Sequence, residues 1–114
     1  MSEDSEIEDL LEVLDDEFAR GILIETSIQP MSAKDLAEAC DASLPTIYRR
    51  IDRLSEQDLL AERKKFRDEG RHYSVYEATL SRLTIELTDG EFSADVVTEP
   101  DDAADRFTDM WEDL

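Results

Sequence analysis

Between Ser5 and Ser27 the apolar residues Ile7, Leu10, Leu11, Leu14, Phe18, Ile22 and Leu23 recur at the three-and-four spacing of one helical face. Ser5 and Glu8 make an S-x-x-E capping box at its start, so the spacing predicts a first helical region over 6–27. Asp15 and Asp16 can each cap a second segment, which allows a break near Leu14. Gly21 within this pattern costs about 1 kcal/mol relative to alanine and predicts the close approach of another helix. Ile28-Gln29-Pro30-Met31 interrupts the periodicity, and Ser32 with Asp35 starts it afresh. A short helix over 33–40 follows, with Leu36, Ala37 and Cys40 inward. Asp41-Ala42-Ser43 has room only for a tight turn. Ser43 then caps a helix running to about Asp58, with Pro45 in the first turn, where its missing N–H does no harm. Ile47, Ile51 and Leu54 form the buried stripe of that helix, which leaves Thr46, Arg49, Arg50 and Arg53 outward.

Beyond Leu59-Leu60, which returns to the core, the period changes. Leu60–Phe66 and His72–Ala78 favour extended backbone on either side of Asp68-Glu69-Gly70-Arg71, a two-stranded wing. Leu83, Ile85 and Leu87 alternate with Thr84, Glu86 and Thr88, and Asp89-Gly90 turns the chain into Phe92, Ala94 and Val96 as a second hairpin. Pro100-Asp101-Asp102 opens an acidic amphipathic helix whose apolar residues are Ala103, Phe107, Met110 and Trp111. The expected fold class is α+β, mainly α. It is laid out as one domain over 1–114: first helix region 6–27, helix-turn-helix 32–58, wing 59–80, extra hairpin 82–98 and C-terminal acidic helix 101–113. A chain of 114 residues has room for one modest core.

A formal charge of −19 argues at first against any polyanionic partner. Its distribution reverses that inference. Residues 49–82 hold nine of the twelve basic residues against seven acids, a local balance of +2, while the remainder, with three bases and 24 acids, carries −21. One basic band in an acidic body points toward nucleic acid. Lysine is scarce and acids decorate nearly every other surface stretch, a composition that resembles that of proteins from salt-accumulating halophilic archaea.

Other classes fit less well. No apolar run approaches the roughly 18 residues of a membrane span, and the N-terminus is acidic where a secretory signal is basic, so no membrane partner and a cytoplasmic location are expected. The single cysteine excludes an internal disulfide and argues against a thiolate metal site. Cys40 reads as a small buried hydrophobe and His72 as a wing surface residue. The paired carboxylates lack a pocket-forming pattern, and Ser43 has no histidine base nearby. No enzyme activity, cofactor or metal is expected.

A short helix, a three-residue turn and a helix bearing Ser43, Thr46, Arg49, Arg50 and Arg53 on its exposed face is the geometry that places a helix in the major groove of double-stranded DNA. An arginine fork there can hold guanine O6 and N7 or clamp a phosphate. Ser43 to Arg49, nearest the helix start, are the candidates for base edges, and Arg53 for a phosphate. The wing adds Arg63, Lys64, Lys65 and Arg67 on one arm, Arg71 at the tip and His72 on the other, placed to straddle the backbone or reach a minor groove.

The run Met31-Ser-Ala-Lys-Asp-Leu-Ala-Glu-Ala-Cys-Asp-Ala-Ser-Leu-Pro-Thr-Ile-Tyr-Arg-Arg-Ile-Asp-Arg-Leu54, followed by Asp58-Leu-Leu-Ala-Glu62, resembles the winged helix-turn-helix of ArsR-type regulators, and most of all their halophilic archaeal members. The resemblance covers about Asp15 to Leu80. It implies a transcriptional regulator in which Ser43, Leu44, Pro45, Thr46, Arg49 and Arg50 face DNA while Ile47, Ile51 and Leu54 are core. It also implies a homodimer through the first and last helices, here the Leu10/Leu14/Phe18 face and the Phe107/Trp111 helix. Metal-sensing members carry a Cys-x-Cys before the wing, or His and carboxylate clusters near the dimer helices, which this chain lacks. The hairpin over 82–98 is not part of the minimal pattern. Two rival readings are a winged-helix module that binds another regulator or the transcription machinery, and a sensor with a small-molecule pocket between its terminal helices. Any effector is unknown.

Overall fold

Asp16 divides the long N-terminal pattern into two helices. Its backbone is extended and its carboxylate accepts the N–H of Phe18 at 3.2 Å, so α1 (Glu3–Asp15) ends and α2 (Glu17–Ile28) begins around one residue. Arg20 closes the joint from the other side. Its guanidinium donates to the carbonyls of Leu14 and Asp15, both at 2.8 Å, which the end of α1 leaves without helical donors. The structure, a computed structural model, describes residues 3–66 and 70–99, so the expected helix over 101–113 and Arg67 lie outside the described residues. Because α1 starts at Glu3, Ser5 lies inside the helix and is not its cap.

Two further serine caps set the next pair of helices. Ser32 accepts the N–H of Asp35 at 3.2 Å and starts α3 (Ala33–Cys40), which ends at Asp41 in the left-handed conformation with φ 53°. Ser43 accepts the N–H of Thr46 at 3.3 Å and starts α4 (Leu44–Glu56). The three-residue turn predicted between them is present. Ile22 of α2, Leu36 of α3, Ile47 and Leu54 of α4 and the following Leu59 are each less than 2% exposed and form the centre of the core. Thr26 is buried with them, and its hydroxyl donates to the Ile22 carbonyl at 2.7 Å, which satisfies its polar group.

Gly21 lies where α2 meets the end of α3, and a Cβ added there would stand 3.2 Å from Cys40 Sγ. Gly21→Ala gains about 1 kcal/mol of helix propensity but crowds that sulfur. The gain is therefore expected in a Cys40→Ala background and not in the natural one. Equal stabilisation in both backgrounds, measured by denaturant unfolding, would contradict the close approach.

The wing is antiparallel β1 (Leu60–Phe66) against β2 (His72–Ala78), in a register running from Leu60 opposite Ala78 to Phe66 opposite His72. Met31 and Tyr76 exchange backbone hydrogen bonds at 3.0 and 2.7 Å, which ties the segment before α3 to the other edge of β2. At the base of the wing the Thr79 N–H donates to the Leu59 carbonyl at 2.9 Å and the Thr79 hydroxyl to the Asp58 carbonyl at 3.0 Å. The second hairpin, β3 (Leu80–Thr88) with β4 (Glu91–Thr98), forms its own two-stranded sheet and begins two residues earlier than expected, with an irregularity in register between Leu80 and Arg82. Its turn residues Asp89 and Gly90 have φ 53° and 82°, the paired positive angles that match strand twist in a two-residue hairpin. Leu83, Ala94 and Val96 pack on the core from this sheet.

These elements form the expected α+β, mainly helical winged helix-turn-helix. The apolar face of α1 differs from expectation. Leu10 is buried and Leu14 packs against the core where α2, α4 and β4 cover α1, while Phe18 stands on α2, half-buried beside the Arg50 guanidinium. No helix among the described residues is long and apolar enough to cross a membrane.

Candidate nucleic-acid interface

The cap at Ser43 and the buried stripe at Ile47, Ile51 and Leu54 together decide which side chains of α4 face outward. The exposed face begins with Leu44, Pro45, Tyr48 and Arg49 and continues into Asp52, Ser55 and Glu56. Acids at that end are repelled by phosphate, so only the N-terminal half of α4 suits a groove. Ser43 and Thr46 are engaged with each other. The Ser43 hydroxyl donates to Thr46 Oγ1 at 3.0 Å while accepting the Thr46 N–H, and Arg49 Nη2 reaches Thr46 Oγ1 at 3.4 Å. Arg49 has no carboxylate partner among the described residues and stays on the exposed face.

Arg50 and Arg53 belong to the opposite side, contrary to the expected outward placement. Arg50 Nε donates to Asp16 Oδ2, and its guanidinium carbon lies 5.9 Å from the centre of the Phe18 ring. Arg53 Nη2 stands 3.9 Å from Glu12 Oε1 on α1. Arg50 thereby fastens α4 to the joint between α1 and α2. Asp16 caps α2 and holds Arg50 with the same carboxylate.

The wing's cations are also divided. Successive residues of a strand point to opposite faces, so Lys64 shares a face with Glu62 and Phe66, and Lys65 with Arg63. Arg63 Nε bonds Glu77 Oε1 at 3.1 Å across the strands. Lys64 Nζ bonds Ser74 Oγ at 3.0 Å and Glu62 Oε2 at 3.1 Å. Lys65 and Arg71 are exposed, as is His72, whose ring meets Phe66 edge-on at 4.6 Å between centres. Between the wing, α3 and α4 runs an open groove of about 930 Å³, lined among others by Lys34, Leu44, Tyr48, Lys64, His72 and Tyr76. Asp35 and Glu38 also line it, so the groove is close to charge-balanced.

Burial, and after it the Glu62 carboxylate, pushes the Tyr76 phenol up, which keeps it a neutral donor at the groove wall. The hydrogen bonds from Ser74 and Lys64 hold Glu62 below the ordinary carboxylate range. A lowered folded value means that ionised Glu62 stabilises the wing above its unfolded value and that this contribution is lost as pH falls through the folded one. The pair is well exposed, so the effect is small and local. Protection factors of the wing amides, which take out the slowing of intrinsic exchange by acid, are expected to fall on acidification in the natural protein and to change less in Glu62→Gln; identical profiles would contradict the linkage.

Two groove residues carry sequence signals that the arginine count passed over. Lys34 is a cation in the first turn of α3, where the helix dipole disfavours it, so its position needs another reason. Tyr48 lies one turn beyond Leu44, and both are large apolar side chains left exposed beside the wing. Cys40 is half-buried, with burial and then Glu25 pushing its thiol up. Among the described residues no cluster of His, Cys, Asp or Glu is placed to hold a metal ion.

The order of these parts, a capped short helix, a tight turn, a capped exposed helix and a strand leaving its end, has a counterpart among known proteins. Residues 14–63 match the model of a helix-turn-helix domain family. The matched stretch runs from the last turn of α1 through α4 into β1, leaving the return strand of the wing and the β3–β4 hairpin outside it. This similarity supports a DNA-binding regulator. No curated protein matches the chain.

Proposed function

We propose that the protein is a sequence-specific transcriptional regulator that acts as a homodimer on double-stranded DNA in a high-salt cytoplasm, of the ArsR-like halophilic archaeal type. The N-terminal half of α4 enters the major groove. Arg49 supplies a guanidinium fork to a base edge or phosphate, Tyr48 and Leu44 give apolar contact to thymine methyls and sugars, and Ser43, Pro45 and Thr46 fix the helix start against the duplex. Lys34 and Lys64 hold phosphates from the two walls of the groove, and Lys65, Arg67, Arg71 and His72 follow the flanking backbone. Arg50 and Arg53 serve the reading helix from behind.

The observation that carries this reading is the groove itself, in which the exposed start of α4 and the wing face a common space about 930 Å³ in volume. Its near balance of charge fits a medium where the Debye length is ~3 Å at 1 M salt and counterion release contributes little, so that base contacts dominate. Anisotropy titrations on duplexes recovered from a random pool test the division of labour. Lys64→Ala is expected to weaken binding alike on all sequences and to reduce the salt slope by about 1. A loss confined to the preferred sequence would give Lys64 a base-reading role instead.

A further inference from the structure

Leu10 and Leu14 are covered within the protomer, so a homodimer needs another surface, and the β3–β4 hairpin offers one. Residues flanking a two-residue turn exchange hydrogen bonds and the pairs alternate from there. Thr88, Glu86 and Thr84 therefore direct their backbone groups at β4, while Leu83, Ile85 and Leu87 turn theirs outward. Among the described residues nothing pairs with that outer edge of β3, and a free edge is a template for another strand. The side chains of the same three residues lie on the apolar face of the hairpin. Its base packs on the core, but toward the turn Ile85 is 43%, Leu87 63% and Phe92, opposite Leu87, 54% exposed. A strip of exposed large apolar side chains marks a contact surface.

We propose that β3 pairs antiparallel with β3 of a second copy, with Thr84 on the two-fold axis, to make one four-stranded sheet. The proposal rests on the homodimeric reading of the function and locates its interface. Charge selects this register. Arg82 is the only base of the hairpin, is exposed, and has no carboxylate partner among the described residues. Glu86 shares its face but lies ~13 Å along the same strand, out of reach. With Thr84 on the axis, Arg82 stands opposite Glu86 of the second copy, and symmetry makes that pair twice. An axis at Ile85 would set Arg82 opposite Thr88, and one at Glu86 would set two carboxylates face to face. The strand β4 carries Glu91 and Asp95 and no base, so pairing through its edge gains nothing comparable.

A two-fold axis of this kind is normal to the sheet, so both protomers lie on one side of it and the overhanging strip of each meets the body of the other. In this register Leu87 falls opposite Ser81 of the second copy. Beside Ser81 is a dent of about 240 Å³ between α2 and the start of β3, lined also by Leu23, Ile24, Leu80 and Leu83. Ile24 is 59% exposed, and Ile28, one helical turn on, 76%. Ile85 and Leu87 of one copy thus cover an apolar patch that the other copy leaves open, and the reverse holds by symmetry.

Disulfide trapping and sedimentation velocity test the interface, at about 1 M KCl, where repulsion between two acidic chains is screened. Thr84 faces its own copy in a non-hydrogen-bonded pair with Cα atoms about 4.5 Å apart, within the span of a disulfide. In a Cys40→Ala background, Thr84→Cys is expected to form a linked dimer on oxidation with diamide, whereas Thr88→Cys, ~26 Å from its own copy, is not. Across a dilution series Arg82→Glu and Leu87→Asp should each weaken the dimer about tenfold, and adding Glu86→Arg to Arg82→Glu should restore it. Arg82, Thr84, Glu86, Leu87 and Thr88 are all exposed, so the variants keep the fold, which circular dichroism checks. A dimer that stays unlinked at Thr84→Cys, links equally at Thr88→Cys, or is indifferent to Arg82→Glu or Leu87→Asp overturns this interface and leaves the homodimer standing. A monomer at every concentration overturns both.

Discussion

Leu54→Ala is expected to destabilise the protein by about 2–5 kcal/mol, the range for truncating a fully buried leucine in a core that only partly collapses around the cavity. Leu54 is 0% exposed, in the last turns of α4, and belongs to the cluster that includes Ile22, Leu36, Ile47 and Leu59. A domain of this size has total stability of about 5–15 kcal/mol, so the loss removes a large fraction of it. The same side chain helps seat α4 on the rest of the core. DNA binding should therefore fail at temperatures where the natural protein still binds, and return on cooling. Denaturant unfolding checks the stability, and a drop below about 1 kcal/mol would mean that the α4 stripe is less tightly packed than the structure has it.

Arg49→Ala is the second large effect, and it falls on recognition. A bidentate contact with the correct base is worth about 1–3 kcal/mol of discrimination, which corresponds to roughly 5- to 150-fold in affinity. The fold should be untouched, since Arg49 is exposed and its recorded side-chain bond is a long one to Thr46 Oγ1 at 3.4 Å. Arg50→Ala makes the contrasting case. It removes the link to Asp16 and the contact with Phe18, so it should lower stability and leave sequence preference unchanged. Anisotropy on preferred and scrambled duplexes, alongside unfolding curves, separates the two. If Arg50→Ala relaxes specificity while Arg49→Ala does not, the assignment of the two arginines is reversed.

The contrast between Arg49 and Arg50 shows how far the residue pattern alone carries. Local rules placed Ser32, Ser43 and Asp16 at helix starts and Asp89-Gly90 at a hairpin turn, because a cap or a two-residue turn is settled by neighbours a few positions away. The buried stripe of α4 was equally readable, since three apolar residues at helical spacing define a face. What lies opposite the remaining positions is another matter. Arg50 is 34 residues from Asp16 in the chain, and periodicity says nothing about a partner at that distance. Leu10 was assigned to a subunit contact for the same reason: an amphipathic helix announces an apolar face without saying whether α4 and β4 of its own protomer cover it. Lys64 and Lys65 are different again. Strand alternation already separates them, but counting them together as one basic arm obscured it.

The reading of α4 as a DNA-recognition helix is tested most directly by selecting bound duplexes from a random pool at about 1 M KCl, where screening suppresses nonspecific attraction. The predicted result is an enriched pseudo-palindrome with half-sites 10–10.5 base pairs apart, or a multiple of that spacing, and loss of the enrichment in Arg49→Ala. No enrichment by the natural protein, or the same motif recovered with Arg49→Ala, would contradict it.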